Sequence, residues 1–168
     1  MAEQYRDILK KDLYRFLLDK GLIDVEMAEY PELERKWEDI TRSFLPEGVR
    51  QFLNNPTRSL SHMIYMGMAV ARFRKTDWEH YDKIEDLYSY MCNQRGYEHL
   101  GEYIRQEVLQ TEGQEEEELT ALVDECANYT VGLLKEQHLK PFTREAFRGL
   151  LFSLQVLYNM GVAMEMKR

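Results

Sequence analysis

The sequence predicts an all-α fold: a single-domain multi-helix array of about seven main helices and one short helix, built around two central buried helices. Three observations predict it. First, the chain is 31% charged, yet Ser59–Ala71 (SLSHMIYMGMAVA) and Gly149–Met164 (GLLFSLQVLYNMGVAM) hold no charged residue. A helix without charge on any face is expected to be surrounded by protein. Second, apolar residues recur at spacings of three and four almost throughout, and the period-two alternation of strands is missing. Third, 168 residues with 44% hydrophobic content and no Gly/Ser-rich or low-complexity tract fit one domain, 1–168. A chain of that size buries roughly 70% of its unfolded surface.

The elements follow in order. Tyr5, Ile8, Leu9, Leu13, Phe16 and Leu17 share one helical face, and Gly21 suits the C-terminal cap. Pro31 opens the next helix, whose inner stripe is Leu33, Trp37, Ile40 and Phe44. Pro46 is expected to stop it and to permit a short helix holding Val49, Phe52 and Leu53. Asn54-Asn55-Pro56 marks a turn, with Thr57 as the cap of the first uncharged helix, which ends in the basic run Arg72-Phe73-Arg74-Lys75. Thr76-Asp77-Trp78-Glu79 has the capping-box pattern and opens one helix through Met91 that Gly96 closes. Tyr97, Leu100, Ile104 and Val108 define another. After a polar break, Glu115–Glu118 occupy the first turns of a helix faced by Leu119, Leu122, Val123, Cys126, Thr130, Leu133 and Leu134. His138–Phe142 forms the last loop, and Thr143 caps the final helix.

Two details bear on how the central helices meet. Phe147, Leu150, Leu154, Leu157, Gly161 and Met164 form a single stripe, and Gly67 lies in line with Leu60, Met63 and Val70. A glycine inside a helix costs about 1 kcal/mol relative to alanine, so its presence there points to close approach of another helix. There is also an internal echo. Thr57-Arg58 precedes Tyr65-Met66-Gly67-Met68-Ala69, and Thr143-Arg144 precedes Tyr158-Asn159-Met160-Gly161-Val162-Ala163. The threonine-to-tyrosine offsets differ by about two helical turns, and coincidence between two buried helices is favoured over a duplicated half.

Charge and cysteine usage narrow the setting. The net charge is −8, concentrated in residues 112–126, which hold acids and no base. Such a surface repels phosphate backbones and argues against nucleic acid as a partner. The uncharged run 149–164 is shorter than the ~20 residues of a membrane span and is interrupted by Ser153, Gln155 and Asn159, so no membrane association is expected. The charged start, Met1–Asp7, does not resemble a secretory signal, and two cysteines make no disulfide framework. A cytoplasmic location is expected.

Candidate chemistry is sparse. Paired Glu-x-x-His motifs of a carboxylate-bridged metal centre do not occur, the nearest being Asp77-x-x-His80, and zinc-type histidine spacings are missing. His80 and His99, with Glu79, Asp82, Glu98 or Glu102 nearby, are expected to be surface residues and not ligands. No metal, no cofactor and no catalytic residue is expected. Cys126 reads as an inert packing residue, and the nine glycines form no phosphate-binding loop. Six tyrosines, Tyr5, Tyr14, Tyr88, Tyr90, Tyr97 and Tyr103, suit either an interface or the rim of a crowded core. His62, inside the first uncharged stretch, suits a satisfied core position.

The leading expectation is thus a non-catalytic interaction or adaptor protein that binds a protein partner or itself, as a homodimer, through adaptable Met-rich and aromatic surfaces. The alternative is a small-molecule-binding or enzymatic bundle with a polar pocket at His62, Tyr65, Gln155 and Asn159. A nucleic-acid-linked regulator ranks last.

Overall fold

This computed structural model describes residues 2–26 and 28–168. Along them run α1 (Ala2–Asp19), α2 (Pro31–Asn54), α3 (Pro56–Thr76), α4 (Trp78–Asp82), α5 (Leu87–Arg95), a 3-10 turn (Tyr97–His99), α6 (Leu100–Tyr103), a π-helical turn (Ile104–Val108), α7 (Gly113–Glu136) and α8 (Arg144–Lys167). No strand forms among the described residues. The fold is all-α, as expected.

The two uncharged helices meet through their backbones. A β-carbon on Gly67 would lie 2.1 Å from the Tyr158 carbonyl oxygen, and one on Gly161 would lie 2.2 Å from the Ile64 carbonyl oxygen. The contact is reciprocal: each glycine faces the carbonyl three residues before the other and the amide one residue after it. Only hydrogen at both positions lets the helices come this close. Beyond the crossing, Lys75 Nζ lies 2.9 Å and Arg72 Nη1 4.0 Å from Glu165, so α3 and α8 run in the same sense. Glu165 is fully buried, and Arg168 closes on it at 3.0 Å. Removing one side of such a buried pair typically costs about 3–5 kcal/mol.

The remaining helices wrap this pair. α2 lies against α3, where the Ser59 hydroxyl donates to the Gly48 carbonyl at 3.1 Å. α7 lies along a further stripe of α3, where Thr57 donates to Asn128 at 2.6 Å. α1 covers α8, with the Tyr5 and Ser153 hydroxyls 2.5 Å apart. Segment 97–108 returns to α3, with the Tyr97 and Ser59 hydroxyls 2.9 Å apart.

Several boundaries differ from expectation. Pro46 does not stop α2, which is continuous through Asn54. Pro46 and Arg42, whose carbonyl loses its amide partner, are both exposed, so water can satisfy the freed oxygen. Thr57 does not cap α3. Asn55 does, accepting from the Arg58 amide at 3.1 Å, because Pro56 takes the first helical position. The capping box at Thr76 is shifted by one residue: Thr76 ends α3, bonding back to the Arg72 carbonyl, and Asp77 caps α4. The helix expected from Trp78 to Met91 is divided, since Asp86 accepts from the Ser89 amide at 3.0 Å and starts α5 afresh. Gly21 (φ +70), Gly96 (φ +85) and Thr143, which accepts from the Ala146 amide, fall where expected.

The glycine contact yields a test with an internal control. Gly161→Ala should lower stability by roughly 1–3 kcal/mol, because the new methyl meets backbone, and Gly161→Leu should lower it further. Gly132, exposed on α7, has nothing within 4 Å of a built β-carbon. Gly132→Ala should therefore gain up to about 1 kcal/mol from helix propensity. Urea midpoints at unchanged slope read both signs. A rise for Gly161→Ala would separate the two central helices at that point.

Candidate functional site

The four residues expected to share a polar pocket lie in two places. His62 and Tyr65 are buried on α3, whereas Gln155 and Asn159 are exposed on α8. Freedom from charge therefore means different things on the two helices. Every residue from Ser59 to Ala71 is buried, as expected. α8 instead presents Gln155 and Asn159 to solvent, one helical turn apart, with Phe152, Ala163 and Met166 half-buried beside them. A neutral carboxamide satisfies its donors and acceptor with water, so an uncharged helix can still keep one open face.

Gln155, Asn159, Ala163 and Met166 help to floor a groove of about 490 Å³. Its charged rim is sorted by element. Arg6 and Lys10 come from α1, and Glu26, Glu29 and Glu34 come from the α1–α2 connection and the start of α2. Arg6 places its guanidinium 4.9 Å from the centre of the Phe152 ring. Two further rim acids are engaged: Asp24 with Lys167 at 3.4 Å and Asp7 with Arg6 at 3.3 Å. A second depression, between α1 and α7, is crossed by a hydrogen bond from the Tyr129 hydroxyl to Asp12.

On the far side of α3, His62 packs edge-on against Tyr97, ring centres 4.5 Å apart, and its Nδ1 has no hydrogen-bond partner. Burial pulls the imidazole down to about 3, and the nearby Arg58 charge adds to the effect. His62 is thus neutral at ordinary pH. The Tyr65 ring sits over Gly101, its hydroxyl accepts from Arg105 Nη1 at 3.0 Å, and Arg105 continues to Glu116 at 3.2 Å. Burial raises the Tyr65 hydroxyl above its usual range. This chain of contacts ties segment 97–108 to α7 and engages both the ring and the hydroxyl of Tyr65.

The other candidates separate likewise. Tyr5, Tyr88 and Tyr97 are core residues. Tyr14, Tyr90 and Tyr103 are half-buried at the rim, Tyr90 beside Tyr81, which stacks on Phe73 at 3.8 Å. Burial pushes the Cys126 thiol up to about 12, which suits an unreactive packing residue. His80 packs against Tyr81, and His99 lies 3.6 Å from Glu102. Among the described residues no group of three or more His, Cys, Asp or Glu side chains is placed to hold a metal ion, and no helix is long and apolar enough to cross a membrane.

Comparison with protein-family models, with characterised proteins and with solved structures finds no match for this chain. Its function must be argued from the groove and the core alone.

Two outcomes follow. As-purified protein should carry no stoichiometric transition metal, and a chelator should leave the melting temperature unchanged; one equivalent of zinc or iron held through His80 or His99 would overturn this. The second concerns pH. His62 in the unfolded chain takes up its proton near 6.5, far above its folded value of about 3. Stability is therefore full above pH 6.5 and falls as pH drops toward 3, by up to ~1.4 kcal/mol per unit. The lowered carboxyls of Glu32 and Asp86 begin to lose their contribution only as pH falls below their unfolded values of 4.5 and 3.8, which is under pH 5. Between pH 6.5 and 5 the wild type should lose ~1.5 kcal/mol more than His62→Phe. Parallel urea-midpoint profiles for the two proteins would place a proton on His62 in the fold.

Proposed function

We propose that this chain is a non-catalytic interaction protein that engages a protein partner through the open face of α8. One observation carries the reading: a helix free of charge from Gly149 to Met164 exposes Gln155 and Asn159 in a groove of about 490 Å³. Carboxamides and aliphatic groups pack and hydrogen-bond, but they neither titrate nor attack, so the floor suits recognition better than catalysis. The rim adds cations from α1 and acids from the α1–α2 connection, which favours selectivity among partners over raw affinity. The acidic surface makes that partner a protein and not a nucleic acid, in a cytoplasmic setting. A small ligand is the second reading, because the groove's size lies within the range of small-molecule sites.

Site-specific photocrosslinking separates the readings. A photoreactive residue at Asn159, introduced in the cells that make the protein, should give a discrete protein adduct. The same residue at the exposed Glu117 of α7 should not. Equal adducts from both positions, or none from Asn159 together with a small molecule co-purifying with the wild type and lost from Asn159→Arg, would replace the interaction reading with the second one.

A further inference from the structure

The central helices are equivalent in more than their glycines. Aligning Gly161 on Gly67 places Ser153 on Ser59, Leu154 on Leu60, Met160 on Met66 and Ala163 on Ala69. The two serines each meet a tyrosine hydroxyl from a distant segment. Ser59 donates to the Gly48 carbonyl of α2 and meets the Tyr97 hydroxyl, while Ser153 donates to the Gly149 carbonyl of its own helix and meets the Tyr5 hydroxyl. Tyr5 lies in α1, and Tyr97 opens the 3-10 turn after α5. The reciprocal crossing thus relates the two central helices position for position. Their internal echo is in register on the glycines and not on the threonines Thr57 and Thr143.

The two central helices differ on one stripe. On α3 the stripe Thr57, Ser61, Tyr65 faces α7: Thr57 meets Asn128, and the Tyr65 hydroxyl is within reach of Thr120. The corresponding stripe on α8 is Leu151, Gln155, Asn159. α1 and the start of α2 flank this stripe as the walls of the groove and do not cover Gln155 and Asn159. Leu151 is half-buried and the two carboxamides are exposed. Within one molecule, therefore, one of the two corresponding stripes is covered by an antiparallel helix and the other keeps Gln155 and Asn159 open.

Resting on the interaction reading above, we infer that the groove over Gln155 and Asn159 receives an amphipathic α-helix of another polypeptide, taking the place that α7 takes on α3. The occupant's chemistry follows from the walls. It presents a small apolar seam to Ala163 and Met166, with a hydrogen-bonding residue opposite Gln155 or Asn159, as Asn128 and Thr120 are opposite Thr57 and Tyr65. Its acidic flank faces Arg6 and Lys10, and its basic flank faces Glu29 and Glu34. This is the helix-in-groove mode, read as anchors at i, i+3, i+4 and i+7.

The probe is a displayed library of random 20-residue peptides selected on the intact protein, the winners then being synthesised. Binding is followed by fluorescence anisotropy to wild type, Asn159→Arg and Glu117→Arg, with circular dichroism of the peptide free and bound. The winners should carry apolar residues at helical spacing and gain helicity on binding. They should lose about tenfold or more in affinity on Asn159→Arg, with no change on Glu117→Arg. Both substitutions are at exposed positions, and an unchanged melting temperature confirms the fold. Groove-dependent winners without helical spacing overturn the helix and leave the interaction reading standing. No winners, or winners indifferent to Asn159→Arg, overturn both. A dimer in sedimentation that Asn159→Arg dissociates makes a second copy the occupant and likewise overturns this inference.

Discussion

Two hydrogen atoms set the geometry of this protein. Because Gly67 and Gly161 carry no side chain, the backbones of α3 and α8 touch, and every other element is arranged around that contact. At this separation the neighbouring side chains on each helix must fit the flanks of the other. That is why Met63, Met66, Met68, Leu157, Met160 and Met164 crowd the crossing. Methionine suits the task, since an unbranched thioether fills irregular gaps without strain. At the far end the same two helices are held by charge instead, with Glu165 gathering Arg72, Lys75 and Arg168.

Much of this is legible in the residues. The uncharged runs announce the central pair, the in-stripe glycines announce the close approach, and Gly21, Gly96 and Thr143 mark helix ends through rules of backbone conformation that act locally. The misplaced boundaries are also local but competitive. Asn55 and Thr57 are both acceptable caps, and Pro56 decides between them. Asp77 displaces Thr76, and Asp86 restarts a helix where apolar spacing alone reads straight through. Pro46 fails as a stop because its cost depends on whether the Arg42 carbonyl can reach water, which is a tertiary property.

The candidate site was legible only in part, for a physical reason. Residues without charge can be buried or can be wet, and Gln155 and Asn159 look the same in a sequence either way. Only the packing shows that α3 is enclosed on all sides while α8 has helices on some and water on one. His62 was legible as a core histidine, but its partners were not, because Tyr97 reaches it from a different helix. The correspondence of the two central helices was hidden by anchoring on the threonines; the register of the crossing runs through Ser59 and Ser153, whose contacts depend on tyrosines far away in the chain.

The bond between Tyr5 and Ser153 joins the first helix to the last. During synthesis, α1 therefore waits for α8 to emerge before it finds its seat. Through that interval α3, enclosed on every side in the finished protein, lacks the helix that Gly67 was shaped to meet. Nascent chains with a bare apolar helix and a core completed only by late, long-range contacts fold slowly and associate readily. The glycine crossing that makes the folded molecule close-packed thus makes its unfinished form dependent on being shielded until α8 has left the ribosome.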